Sequence, residues 1–129
     1  MAICTVFSNF TQVVEDKPLL ELLEDIKNGR FRSDIEPIRS LVELGNMDSV
    51  NELKKNLLAF TPSATFKGGR KFEYIVNYSG IVHLDFDKLS SIQIRSALKN
   101  IQSSNYTYAC FISPSGNGIK LTGYPLSSS

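Results

Sequence analysis

The chain has 129 residues, 42% hydrophobic and 21% charged, with a formal net charge of +1, which suits one domain with a core of ordinary size. No apolar run approaches a membrane span and no basic stretch leads a long apolar one at the N-terminus, so a cytoplasmic protein with no membrane partner is expected. A single His and two distant cysteines, Cys4 and Cys110, exclude His triads and clustered His or Cys metal sites, and both thiols are expected to be free and buried.

Ile3 to Phe10 is rich in β-formers and reads as a short strand. The spacing predicts a helix over Pro18–Asn28: Pro18 suits the first turn, Leu19, Leu22, Leu23 and Ile26 share one face, and Gly29 stops it. Ser33–Glu36 has capping-box spacing ahead of Ile38, Leu41 and Val42, which places Pro37 in the first turn of a second helix ended by Gly45. A third helix starts near Asp48 or Ser49 and buries Val50, Leu53 and Leu57. These helices are expected to supply packing and support, with no chemistry before Lys54. Residues 59–66 are extended and hydroxyl-rich, and Lys67-Gly68-Gly69-Arg70-Lys71 is a basic loop, either a solvated turn or a phosphate contact. Phe72 to Asn77 fits a strand or a short helix equally.

From Gly80 the pattern sharpens. A buried strand over 80–86 precedes a helix over Ser90–Ile101, with Ile92, Ile94, Leu98 and Ile101 apolar. Strands Tyr106–Ile112 and Ile119–Tyr124 follow, joined by a Ser/Pro/Gly/Asn turn. The order β-α-β-β opens a ferredoxin-like or RNA-recognition-type unit. The expectation is an α/β (α+β) fold in one domain over 1–126. Residues 1–58 form a mostly helical lead-in, 59–126 the sheet-forming core, and 127–129 a disordered tail.

Charge is unevenly spread. Residues 1–53 hold ten acids and five bases, residues 54–71 hold five bases and no acid, and no acid follows Asp87. Asp85 and Asp87 are therefore an isolated negative spot among basic segments, an arrangement that suits phosphate ligands and a bridging cation. In a strand, positions i and i+2 share a face, so both carboxylates point the same way, and His83 with them. Side by side they repel unless a cation intervenes, and hard ions such as Mg²⁺ prefer such oxygen donors. The bland alternative makes Asp87 the N-cap of the next helix and Asp85 a solvated strand end. His83 either packs in the core or orients a carboxylate. Ser113-Pro114-Ser115-Gly116-Asn117-Gly118-Ile119-Lys120 is by one reading a plain hairpin turn. By the other, Gly116 and Gly118 let backbone N–H groups approach a phosphate, while Ser113, Ser115 and Lys120 add hydroxyls and charge.

IVHLDFD (81–87) and SPSGNGIKL (113–121) resemble motifs I and II of the archaeo-eukaryotic primase superfamily. The nearer resemblance, which includes LKKNLLAFTPSATFKGGRK (53–71), is to the VirE N-terminal-like family of primase-helicase-type proteins in phages and mobile elements. It implies a primase-like core in which Asp85 and Asp87 are catalytic and hold Mg²⁺ or Mn²⁺, and in which Ser113, Ser115, Gly116, Gly118 and Lys120 meet nucleotide phosphates. Lys120 stands where such primases usually carry His, and the third acidic ligand is missing after Asp87. The resemblance therefore implies a metal-dependent nucleotide- and DNA- (or RNA-) binding domain in replication, working beside a helicase and binding nucleotide better than it polymerises. Lys54, Lys55, Lys67, Arg70 and Lys71 would track the nucleic-acid backbone. The competing expectations are a non-catalytic DNA-binding or docking module and a metal-dependent phosphoryl hydrolase or nuclease with His83 as base.

Overall fold

The structure is a computed structural model that describes residues 1–124, so the tail expected at 127–129 lies outside the described residues. The first half runs β1 (Ile3–Ser8), β2 (Gln12–Pro18), α1 (Leu19–Lys27), α2 (Arg32–Glu43), α3 (Met47–Lys54), β3 (Ala59–Thr61), β4 (Ala64–Phe66) and β5 (Ile75–Tyr78). The second runs β6 (Val82–Phe86), α4 (Ser91–Gln102), β7 (Thr107–Ile112) and β8 (Ile119–Gly123). Three small antiparallel sheets result among the described residues, ordered β2-β1-β3, β4-β5 and β6-β8-β7. The fold is mixed α/β, and this arrangement does not establish a primase-like core.

The N-terminal half is less helical than expected, because β2 pairs with β1 along its length. Gln12–Pro18 has too little apolar alternation to announce itself, since it is an edge strand with mostly exposed side chains. Pro18 ends that strand, and α1 starts one residue later. Gly29, at φ +78, closes α1 as the Arg30 N–H reaches back to the Asp25 carbonyl. The N–H groups of Arg32, Asp34 and Ile35 are taken by the Gly29 and Phe31 carbonyls. Helix α2 therefore begins at Arg32 with no side-chain cap, the Ser33–Glu36 box does not form, and Pro37 sits inside the helix. Helix α3 is capped by Asn46, whose side chain accepts from the Ser49 N–H at 3.3 Å. The ambiguous 72–77 stretch is both things: a 3₁₀ turn at Phe72–Tyr74 leads into β5.

The core cluster joins Cys4, Val6, Leu19 and Leu22 of the first half to Ile81, with Phe60 and Tyr108 packed against it. Each large apolar side chain fully buried here contributes roughly 1.5–3 kcal/mol over its exposed state. Cys4 is buried as expected, but Cys110 is only half-buried, and both are free. The β-α-β-β order appears as expected, with β6 and β7 flanking β8 and α4 packed on β7. Ser90 and Gln93 form the capping box of α4, which buries Ile94 and leaves Ile92 exposed. Strand β6, expected to be buried, is instead an edge strand with Val82, Leu84 and Phe86 exposed. Only Ile81, just ahead of it, reaches the core.

Candidate functional site

Register places the site on one face of the β6-β8-β7 sheet. Asp85 pairs with Lys120 and Lys120 with Phe111, one row across three strands. The row behind it is His83, Thr122 and Ala109. Side chains directly opposite share a face, so His83, Asp85 and Lys120 meet. Lys120 Nζ donates to Asp85 Oδ1 at 3.1 Å, and His83 Nε2–H donates to the same oxygen at 2.9 Å. Burial of Asp85 favours its neutral form, but the bond and charge of Lys120, with His83, outweigh this and hold its carboxyl below the usual 3.8. The His83 Nδ1 atom is buried and has no partner among the described residues. His83 therefore orients a carboxylate.

A further row continues at the foot of the β7–β8 hairpin. A Cβ on Gly118 would stand 2.6 Å from the Phe86 carbonyl, 3.1 Å from Ser113 Oγ and 3.3 Å from Asp87 Oδ1. Only glycine fits there, and its bare Cα leaves a cradle toward which the Asp87 carboxylate and the Ser113 hydroxyl both lean. Ser90 caps α4, so Asp87 does not serve as its N-cap. Asp87, Asp85 Oδ2 and the hydroxyls of Ser113 and Ser115 have no hydrogen-bond partner among the described residues. The turn uses its own backbone: Gly116 N–H donates to the Ser113 carbonyl and Ser113 N–H to the Gly118 carbonyl. The Gly116 N–H is therefore committed within the turn.

These groups open into a cleft of about 1210 Å³ between the sheet and the N-terminal half, larger than the usual small-ligand site. Seven cations line it (Lys27, Arg32, Arg39, Lys54, Arg70, Lys88 and Lys120) against four carboxylates, Asp34, Glu36, Asp85 and Asp87. Of the five basic residues expected to track nucleic acid, Lys54 and Arg70 share this cleft with Asp85. Lys55 instead pairs with Glu52 at 3.0 Å, and Lys67 and Lys71 are exposed away from the cleft lining. Arg70 is also partly committed, with Nη1 on the Phe10 carbonyl at 3.0 Å and its guanidinium over the Phe7 ring. The helices contribute cations that sequence reading overlooked. Arg39 follows the cleft-lining Ile35 by one helical turn, so it flanks the apolar stripe, a weak signal but a readable one.

No group of three or more His, Cys, Asp or Glu gathers to hold a metal among the described residues. Two carboxylates with free oxygens and a nearby hydroxyl do fit a hard ion that keeps most of its shell for water and ligand phosphates. Asp85 and Asp87 are the carboxylates that would hold it.

Residues 52–124, more than half of the chain, match the family model described as BT4734-like, N-terminal domain. The chain belongs to that family. No curated protein and no solved structure matches it. The match overturns the VirE N-terminal-like and primase resemblance, because the matching family is the BT4734-like one and nothing in it leads to VirE or to primases. The physical reason is that the two motifs carrying the resemblance are short and locally demanded. Gly118 is required by the Phe86 carbonyl, and Gly116, at φ +82, by the turn itself. The phage, mobile-element, replication and helicase associations entered with that resemblance and have no other support in this chain. No helix among the described residues is long and apolar enough to cross a membrane.

Proposed function

We propose that this BT4734-like domain binds a phosphate-bearing ligand, a nucleotide or a nucleic-acid strand, in the cleft, with Mg²⁺ or Mn²⁺ bridging the ligand to Asp85 and Asp87. The observation that carries this reading is the gathering, in the lining of one cleft, of Lys120, two carboxylates with free oxygens and two unpartnered serine hydroxyls. The ion, when bound, neutralises charge between the carboxylates and the phosphate oxygens. His83 and Lys120 fix the Asp85 carboxylate from one side, so its other oxygen is held ready. Ser113 and Ser115 donate hydroxyls to phosphate oxygens, and Lys54 and Lys88 add long-range attraction. Binding rather than turnover is what two carboxylates support, since holding two ions a few Å apart takes more of them. A hydrolase reading lacks an accessible histidine base, because His83 Nε2 is committed to Asp85 and its Nδ1 is buried.

The deciding experiment is calorimetry with Mn²⁺ and ATP on the wild type and on Asp85→Asn/Asp87→Asn. Binding by the wild type that needs both metal and carboxylates supports the reading, and an inert wild type sinks it. The excess of cations in the cleft favours one alternative, metal-independent docking of nucleic acid. That alternative is recognised by steeply salt-dependent DNA binding that ignores Mg²⁺ and the Asp85→Asn change.

A further inference from the structure

We propose that Arg39, on α2, is the anion-binding arginine of this site, poised on the hairpin turn and offered to the ligand's phosphate. The inference rests on the phosphate-binding reading above and adds a residue from outside the matched 52–124 segment. Arg39 Nη2 donates to the Ser113 carbonyl at 3.2 Å across 74 positions of sequence. Its stem lies along Gly116, where a Cβ would come within 3.5–3.7 Å of its Nε, Cδ and Cγ atoms. The Ser113 carbonyl already accepts from the Gly116 N–H, so the arginine is not needed to satisfy it. One of five guanidinium N–H donors is used there, and no carboxylate lies within ion-pair distance of Arg39 among the described residues. An unpaired cation is thus laid on the turn that carries Ser113 and Ser115, in the cleft that both serines and Lys120 also line. Its planar fork matches two oxygens of one phosphate, a geometry that lysine does not supply.

The test is calorimetry with Mn²⁺ and ATP on the full chain as wild type, Arg39→Ala and Arg39→Lys, with a thermal melt of each. Both variants are expected to bind about tenfold to a hundredfold more weakly, while Mn²⁺ and the two aspartates are still required. Arg39→Lys is expected to melt like the wild type, since lysine can donate one bond to the Ser113 carbonyl. Wild-type affinity in both variants would remove Arg39 and leave the site reading intact. Full rescue of affinity and melting by lysine would overturn the inference too, making Arg39 a strut for the turn. A wild type that binds no nucleotide removes the site reading and this inference together.

Discussion

Strands β1 and β6 look alike on paper and live differently in the molecule. Ile3–Ser8 and Val82–Phe86 are both short strands with apolar side chains at more than half of their positions. Yet β1 lies between β2 and β3 and buries Cys4, Thr5, Val6 and Phe7 in succession, whereas β6 is an edge with Val82, Leu84 and Phe86 exposed. The central strand supplies the core, and the edge strand presents His83, Asp85 and Asp87 to the cleft. Place in the sheet, not composition, decides which strand can afford charged side chains.

Deleting one large side chain from each strand should separate the two most widely. Phe7 is fully buried and its ring meets Phe66 edge-on at 5.7 Å. Phe7→Ala is expected to cost about 3–5 kcal/mol in urea denaturation, through lost burial and the cavity left behind. Leu84 is 50% exposed, and Leu84→Ala is expected to cost less than about 1 kcal/mol, since little surface is returned to water. Equal losses would mean that β6 is as buried as β1.

Glycine positions sharpen the contrast further. Gly118→Ala forces a Cβ to within 2.6 Å of the Phe86 carbonyl, a backbone atom that cannot rotate away. Overpacking of this kind is expected to cost about 1–3 kcal/mol, and it moves the Asp87–Ser113 cradle, so ligand affinity falls as well. Gly45, at φ +76, faces open space, and Gly45→Ala is expected to cost only the left-handed strain of about 1–2 kcal/mol. Urea melts together with ligand titration separate the two: affinity changes in the first variant alone.

Much of the second half was legible because its signals are local. The span of α4 and the turn between β7 and β8 stand where sequence places them, whereas the Ser90–Gln93 box that caps α4 went unread. The motif residues Asp85, Lys120 and Ser113 are brought together by strand register, which period-2 alternation anticipates for Asp85 and His83. What could not be read was whatever depends on distant partners. β2 forms because β1 offers it an edge, α2 starts early because Gly29 and Phe31 cap it with backbone, and Arg39 reaches a turn 74 positions away. The charge run 54–71 also misled, since Lys55 and Arg70 are partly spent on Glu52 and on Phe7 and Phe10.

The two strands also differ in how their titratable groups respond to pH. On β1, burial chiefly pushes the Cys4 thiol from 9.0 to about 11, against the lowering effect of Lys17. The folded state then holds its proton longer than the unfolded chain, so stability falls as pH rises from 9.0 toward about 11. Urea melts across that window are expected to show the decline, and Cys4→Ala is expected to flatten it. A wild-type slope unchanged in the variant would place the alkaline sensitivity elsewhere.

On β6 the sign reverses and the effect is smaller. The Asp85 carboxyl is held below 3.8, as Lys120 and His83 outweigh the opposing effect of burial. The folded state releases this proton more readily than the unfolded chain, so the contribution is present above 3.8 and is lost as pH falls through the lowered value. Because the Asp85 side chain is 45% exposed, solvent screens the pair and stability registers it faintly. NMR titration of the Asp85 carboxyl is the better measurement. Lys120→Met is expected to move that titration upward, since it removes a hydrogen bond and a charge and leaves burial unopposed except by His83. An unmoved titration would mean that the Lys120–Asp85 bond does not persist in solution, and the free Asp85 oxygen on which the proposed metal site depends would then lose one of the two groups that orient it.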